Sequence, residues 1–227
     1  MKIRREVWPF LGMVVAAGTT LSLFFAEPSP VYLLTAAVAA FVVYFFRDPE
    51  RKAPQDEDAI LSGADGRVMS ITYHPSQEHL KRITVRVSVF LNLLDVHVNR
   101  APLSGQSTFI GYFPGKTLFA FREKSSEVNQ HNKILIEGDR TKCLVVQLVG
   151  PFARRVVYWL APDRAVAVKA GDRIGMMKFG SRLDIYFPVK DVEVMVKRGA
   201  RVRAGETIIA RVRSAKRDGG ILEPKAL

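Results

Sequence analysis

Two charge-free apolar runs near the start of the chain, Trp8 to Ala26 and Val31 to Phe46, limit its fold more than any other feature. The polar stretch Glu27-Pro-Ser-Pro30 between them has turn chemistry. The second run has 16 residues and is marginal for a perpendicular membrane span, which takes about 20. The pattern predicts a helical hairpin over residues 1–52, inserted fully or deeply into a bilayer. Lys2, Arg4 and Arg5 precede the first run, and Arg47, Arg51 and Lys52 follow the second. Positive charge at both ends puts both on the cytoplasmic side, and with them the remainder of the chain. A cleaved signal peptide is disfavoured, because the second run would remain as an anchor and no small-x-small cleavage site is evident. A hairpin buried in a soluble core is disfavoured because neither run carries a charged face.

The net charge of +12 calls for an anionic partner, either nucleic acid or a membrane surface. The paired apolar runs select the membrane, and no stacking platform or recognition helix supports nucleic-acid binding. Cys143 is the only cysteine, so no intrachain disulfide forms, and its strand-like surroundings predict a buried thiol. His74, His79, His97 and His131 form no local ligand pair, which predicts no metal site.

From Ala59 the chain reads as mainly β. Runs 66–72, 81–90, 143–148 and 155–160 alternate or are β-branched, and glycine, proline and Asn/Asp turns separate them. Residues 116–133 read as a short helix or a loop, and 213–227 as a polar tail. Val192 to Val212 has a strand, a Gly199 turn, a short strand, a Gly205-Glu turn and a final strand. That rhythm is similar to a biotinyl or lipoyl hairpin, and Ala64-Asp-Gly-Arg-Val-Met is similar to the matching turn of its other half. The expected fold for residues 53–227 is therefore a flattened β-sandwich or barrel related to biotinyl-lipoyl (hybrid) domains. Lys190 and Lys197 lack the Met-Lys context of a carrier lysine.

A serine becomes a nucleophile when a base lies within reach and a third group orients that base. Ser181, His97 and Asp65 are far apart in sequence and meet only through a fold. Asp65 in Ala-Asp-Gly reads more readily as an Asx-turn residue, since Asp and Gly favour turns for backbone reasons. His97 follows a hydrophobic strand and reads either as a base or as a packed strand-end histidine. Arg100 reads as an anion contact or a surface residue. Gly180 tolerates the backbone geometry that attack by the next residue's hydroxyl needs, and reads otherwise as a plain turn.

Ordered together, these elements resemble the phosphatidylserine decarboxylase family, in its short bacterial and archaeal class. The resemblance runs through Phe46-Arg-Asp-Pro-Glu-Arg51, Ala64-Asp-Gly66, Asp95-Val-His-Val-Asn-Arg-Ala-Pro102, Gly111-Tyr-Phe-Pro-Gly-Lys116, Asn129-Gln-His-Asn132 and Gly180-Ser181. It implies a proenzyme that cuts itself before Ser181 and converts that serine into a pyruvoyl cofactor. The products would be a β chain of residues 1–180 and an α chain beginning at residue 181. A Schiff base to the amine of phosphatidylserine would draw the electrons released as CO2 leaves.

The resemblance makes Asp65 the orienting carboxylate of maturation. Long members of the family resemble Asp-x-His-x-x-His-x-Pro, whereas here Arg100 stands at the second histidine. His97 falls on the histidine associated with decarboxylation, so either it serves both steps or another group is the maturation base; the first is expected. Arg100 and Lys116 are the expected head-group phosphate contacts. A homo-oligomer is left open. Two other functions compete: decarboxylation of another, archaetidylserine-like serine phospholipid, and a non-enzymatic, membrane-tethered lipoyl-like adaptor in which Ser181 is inert.

Overall fold

A computed structural model describes residues 1–75, 77–116, 129–148, 150, 156–178 and 181–213. Strand β1 (Lys2–Ile3) leads into helices α1 (Val7–Ser22) and α2 (Ser29–Phe45), and β2 (Arg47–Asp48) follows. The β region then comprises β3 (Ala59–Leu61), β4 (Gly66–His74), β5 (Thr84–Phe90), β6 (Val98–Arg100), β7 (Gly105–Phe113), β8 (His131–Glu137) and β9 (Lys142–Leu148). It continues with β10 (Val156–Tyr158), β11 (Val166–Val168), β12 (Arg173–Met177), β13 (Arg182–Pro188), β14 (Val192–Val194), β15 (Arg201–Val202) and β16 (Ile208–Val212).

The two helices lie antiparallel. Gly18 faces Thr35 so closely that a Cβ at Gly18 would sit 2.1 Å from the Thr35 hydroxyl, and the Ser22 hydroxyl donates to the Tyr32 hydroxyl at 3.2 Å. The turn differs from the sequence expectation. Ser29 and Pro30 already belong to α2, where the first helical positions have no intrahelical use for the N–H that proline lacks. Leu23–Pro28 is thus the link. With 16 and 17 residues, the helices are about 24 and 26 Å long at about 1.5 Å per residue. No helix among the described residues is long and apolar enough to cross a membrane. Leu23, Phe24 and Leu33, near the link, are at least three-quarters exposed.

Eight strands form one antiparallel sheet in the order β11-β7-β8-β9-β13-β5-β4-β15, and two three-stranded sheets, β10-β12-β6 and β14-β16-β3, complete the β region. Period-two alternation divides the faces of the large sheet. On β13, Leu183, Ile185 and Phe187 join the main core with Val87 and Val89 of β5 and Val145 of β9. Tyr186 of the same strand faces a second apolar cluster with Leu144, Val146 and Leu148. Both three-stranded sheets contribute to the main core, through Met177 and Ile174 of β12 and Ile209 and Ala210 of β16. Cys143 is buried there as a free thiol.

The strands read from the sequence are present, β5 starting at Thr84 rather than Lys81 and β10 ending at Tyr158 rather than Leu160, with Arg155 outside the described residues. The 116–133 reading is corrected at its end: residues 131–133 open β8, paired with β7 and β9, while 117–128 lie outside the described residues. The expected tail lies outside them as well, apart from Arg213, whose guanidinium donates to the Val192 carbonyl. Gly199 and Gly205 are turn residues as expected, but the short strand β15 between them pairs with β4, while β14 pairs with β16.

Candidate active site

The helix pair docks on the β region at one place. Val7, Val42, Phe45 and Phe46 bury Met176 of β12, and Trp159 packs beside them. The Trp159 indole donates to Glu6 at 2.7 Å, and the Arg4 guanidinium stacks on its ring at 3.7 Å. His97 sits at this junction, fully buried, with the Phe45 ring 4.2 Å away.

The loop before His97 is built by Asn/Asp turn chemistry. The Asp95 carboxylate accepts from Asn92 N at 2.9 Å, and the Asn92 side chain accepts from Leu94 N at 2.7 Å. The loop presents the Asp95 carbonyl to His97 Nδ1 at 3.0 Å. Nδ1 therefore carries the proton of the neutral ring, and Nε2 keeps a lone pair. That Nε2 is buried without a hydrogen-bond partner among the described residues. Burial takes the imidazole down to about 4, the hydrogen bond to Asp95 opposes the shift, and the nearby Arg47 charge adds to it. The ring is thus a neutral, base-ready imidazole at physiological pH.

Ser181 closes the connection that follows β12, and no hydrogen bond joins it to His97 among the described residues. Met177 N donates to the His97 carbonyl at 3.1 Å, so the connection from β12 to β13 starts beside His97. Lys178, next in that connection, holds its ammonium 5.2 Å from the Phe10 ring of α1. Ser181 ends the connection fully buried, its hydroxyl donating to the Lys178 carbonyl at 3.4 Å and its own carbonyl accepting from Leu91 N at 3.0 Å. Gly180 lies outside the described residues.

Asp65 stands on the far side of the end of β5. Phe90 pairs with Arg67 of β4 on one side and with Arg182 of β13 on the other. Asp65 and Ser181 therefore flank that strand end, about 10 Å apart at two strand spacings. Gly66 is required there: at φ +147, a Cβ would lie 2.1 Å from the Phe90 carbonyl oxygen. The Asp65 carboxylate accepts from Ala204 N and from the Arg51 guanidinium, each at 2.8 Å. Among the described residues it makes no hydrogen bond to His97 or Ser181. Burial raises the Asp65 carboxyl, the Ala204 hydrogen bond and Arg51 oppose that rise, Asp95 adds to it, and Arg47 opposes it.

The structure does not bring Arg100 to the imidazole. Its guanidinium donates to the Gly171 carbonyl at 2.8 Å, the Pro49 carbonyl at 2.9 Å and Asp48 at 3.3 Å. It lines a cavity of about 350 Å³ together with Arg51, Arg173, Glu50 and Asp172. Lys116 is exposed, and its carbonyl accepts from Gln130 N at 3.0 Å.

The sequence reading missed the residues that assemble this site. Phe45, Arg47, Asp48 and Arg51 leave α2 as one strap along His97 to Arg100, and Arg47 donates to the Leu94 carbonyl at 2.6 Å. The run Phe46 to Arg51 reads in the sequence as part of a resemblance and, through Arg47 and Arg51, as flanking positive charge, not as a strap. A second unread feature is a buried amide chain. Asn132 donates to Gln147 at 3.4 Å, and Gln147 donates to Asn99 at 2.7 Å. Gln147 pairs opposite Leu183, two residues beyond Ser181.

Comparison with known proteins shows the family to which the chain belongs. The sequence profile of the phosphatidylserine decarboxylase family matches residues 38–210. A phosphatidylserine decarboxylase proenzyme of Carboxydothermus hydrogenoformans is 41% identical over 203 residues, covering 89% of this chain and 92% of the relative. The proenzyme of the same name from Syntrophus aciditrophicus is 41% identical over 208 residues, covering 90% and 95%. That of Desulfotalea psychrophila is 38% identical over 211 residues, covering 92% and 96%.

Proposed function

Because this chain belongs to the phosphatidylserine decarboxylase family, we propose that it converts phosphatidylserine to phosphatidylethanolamine and CO2 with a pyruvoyl group made from its own Ser181. The observation that carries the reading is the neutral Nε2 of His97, buried without a hydrogen-bond partner among the described residues, on a residue whose carbonyl holds the start of the connection that ends at Ser181. The surroundings of Ser181 fit such a group: the residue is buried, and Leu91 N fixes its carbonyl.

In maturation, His97 Nε2 takes the Ser181 hydroxyl proton as Oγ attacks the Gly180 carbonyl. The peptide bond becomes an ester, and the freed amine takes a proton. Elimination then releases the Gly180 carboxylate, and hydrolysis releases ammonia, leaving a β chain of 1–180 and an α chain from residue 181. Asp65 is the orienting carboxylate. It acts through the end of β5, since Gly66 lies against the Phe90 carbonyl and Leu91 N holds that of Ser181. In turnover the pyruvoyl group supplies an electron sink for the pair released with CO2. His97 returns a proton to the substrate carbon. Lys116, exposed, and Arg100, on the cavity wall, are the proposed phosphate contacts.

The helix pair of residues 1–52 anchors the β-rich catalytic region, 53–227, to the cytoplasmic face of the cell membrane. Its link enters the apolar layer first, because Leu23, Phe24 and Leu33 are the most exposed apolar side chains of that end. Its base carries Lys2, Arg4, Arg5 and Arg47, each worth about 1 kcal/mol near anionic lipid. The Lys178 contact with Phe10 keeps the Ser181 connection at that base, where a head group lies.

Intact mass spectrometry of the protein extracted from membranes tests the reading. Two chains divided at 180/181, the smaller about 17 Da lighter than a serine-initiated chain, are expected. A native preparation that remains one uncut chain yet decarboxylates phosphatidylserine would overturn it.

A further inference from the structure

The strap leaving α2 meets the site at successive points, and the last has no role in the reading above. Phe45 covers His97, Arg47 holds the Leu94 carbonyl, and Asp48 takes Arg100. Arg51 ends the strap with its guanidinium divided between two carboxylates, Asp65 at 2.8 Å and Glu206 at 2.8 Å. Its side chain is only 10% exposed, and that of Asp65 only 13%. We infer that Arg51 is a positioning residue for self-cleavage, holding the Asp65 carboxylate ionised and in place with one edge of a guanidinium whose other edge Glu206 fixes. The inference rests on the maturation role proposed for Asp65.

The chemistry favours arginine at this place. A planar fork with two usable edges binds two carboxylates at fixed angles, which a lysine ammonium does not reproduce. Asp65 also needs the charge. It is buried at a strand end, and the groups facing it are Arg51, Arg47 of the strap and Asp95 of the β5–β6 loop; Glu206, before β16, shares Arg51. Asp95 works against ionisation, and the Ala204 amide and the two arginines work for it. Arg100 donates to Asp48, and the guanidinium that reaches Asp65 is that of Arg51, at the end of the strap.

The test follows self-cleavage of the full-length chain, synthesised without cells in the presence of lipid vesicles, across a pH series. Cleavage of Arg51→Gln is expected to slow by about tenfold at mildly acidic pH and to recover as pH rises. Removing the cation lifts Asp65 further, so the carboxylate form is lost at higher pH; the limb due to His97 stays near 4. Arg51→Lys keeps the charge, so its profile keeps the wild-type limb, with a smaller, pH-independent loss. Arg51→Gln cleaving at the wild-type rate throughout overturns the inference, and so does a uniform loss at every pH, which marks structural damage alone. If Arg51→Gln does not fold, Arg51→Lys decides: an acid limb moved to higher pH overturns the inference. Asp65→Asn separates the two layers. Its normal cleavage would remove the role of Asp65 itself, whereas blocked cleavage with an unaffected Arg51→Gln removes only the role of Arg51.

Discussion

The ring of Phe45, the last residue of α2, lies 4.2 Å from the imidazole of His97 at an interplanar angle of 34°. An element read as a membrane anchor thus ends on the side chain read as the base. Burial at this junction is the main cause that takes the imidazole from 6.5 to about 4.

That depression makes stability fall with acid. Above 6.5, His97 is neutral in both states and contributes no pH dependence. As pH falls from 6.5 towards about 4, the unfolded chain takes a proton that the folded chain refuses, so stability is lost across that window. The loss attributable to His97 is about 3 kcal/mol. Phe45→Ala opens the ring to water and is expected to flatten this slope, whatever its effect on stability at neutral pH. Urea unfolding in detergent across the window measures it; parallel slopes would show that Phe45 is not what depresses His97.

Ser181→Ala is expected to leave a single full-length, inactive chain, and His97→Ala to be uncut and without turnover. Gel analysis and release of CO2 from phosphatidylserine read both. Decarboxylation by Ser181→Ala would remove the pyruvoyl assignment, while normal cutting by His97→Ala would assign maturation to another base.

Asp48 is fully buried and takes three guanidinium groups: Arg173 at 2.7 Å, Arg100 at 3.3 Å and Arg4 at 3.4 Å. Asp48→Asn leaves the buried Arg100 without its counter-charge and is expected to cost about 3–5 kcal/mol. Thermal unfolding measures it, and an unchanged transition would show that the carbonyls of Pro49 and Gly171 suffice for Arg100.

Serine at Leu23, Phe24 and Leu33 together is expected to weaken binding to phosphatidylserine-containing vesicles by more than about tenfold, since each side chain contributes about 1.5–3 kcal/mol on full burial. Self-cleavage should persist, because these residues are remote from the docking cluster of Phe45, Phe46 and Met176. Vesicle flotation reads the first result and gel analysis the second; undiminished flotation would locate the membrane contact elsewhere.

Much of the β region was legible because its information is local. The alternation in Thr84 to Phe90 and the apolar run Cys143 to Val146 mark strands that feed the main core, and turn residues bound them. Beta strands β8 and β13 were harder to read. His131 opens β8 directly after a polar stretch, and Arg182, Asp184 and Tyr186 break the apolar pattern of β13 because they face the second side of the sheet.

The sequence by itself determined which chemistry was available: a Gly-Ser bond, one histidine after a hydrophobic strand, an Ala-Asp-Gly turn and an apolar pair of helices. Those are properties of residue type and near neighbours. Only the tertiary structure decided how they are used. It placed Asp65 across β5 from Ser181 with Arg51 as its partner, committed Arg100 to Asp48, and set Phe45 on His97. The Asp48–Arg100 pair joins residues 52 positions apart, and the Arg51–Glu206 pair residues 155 apart. Such pairings are fixed by sheet order and by the docking of the helices, and no local pattern records them.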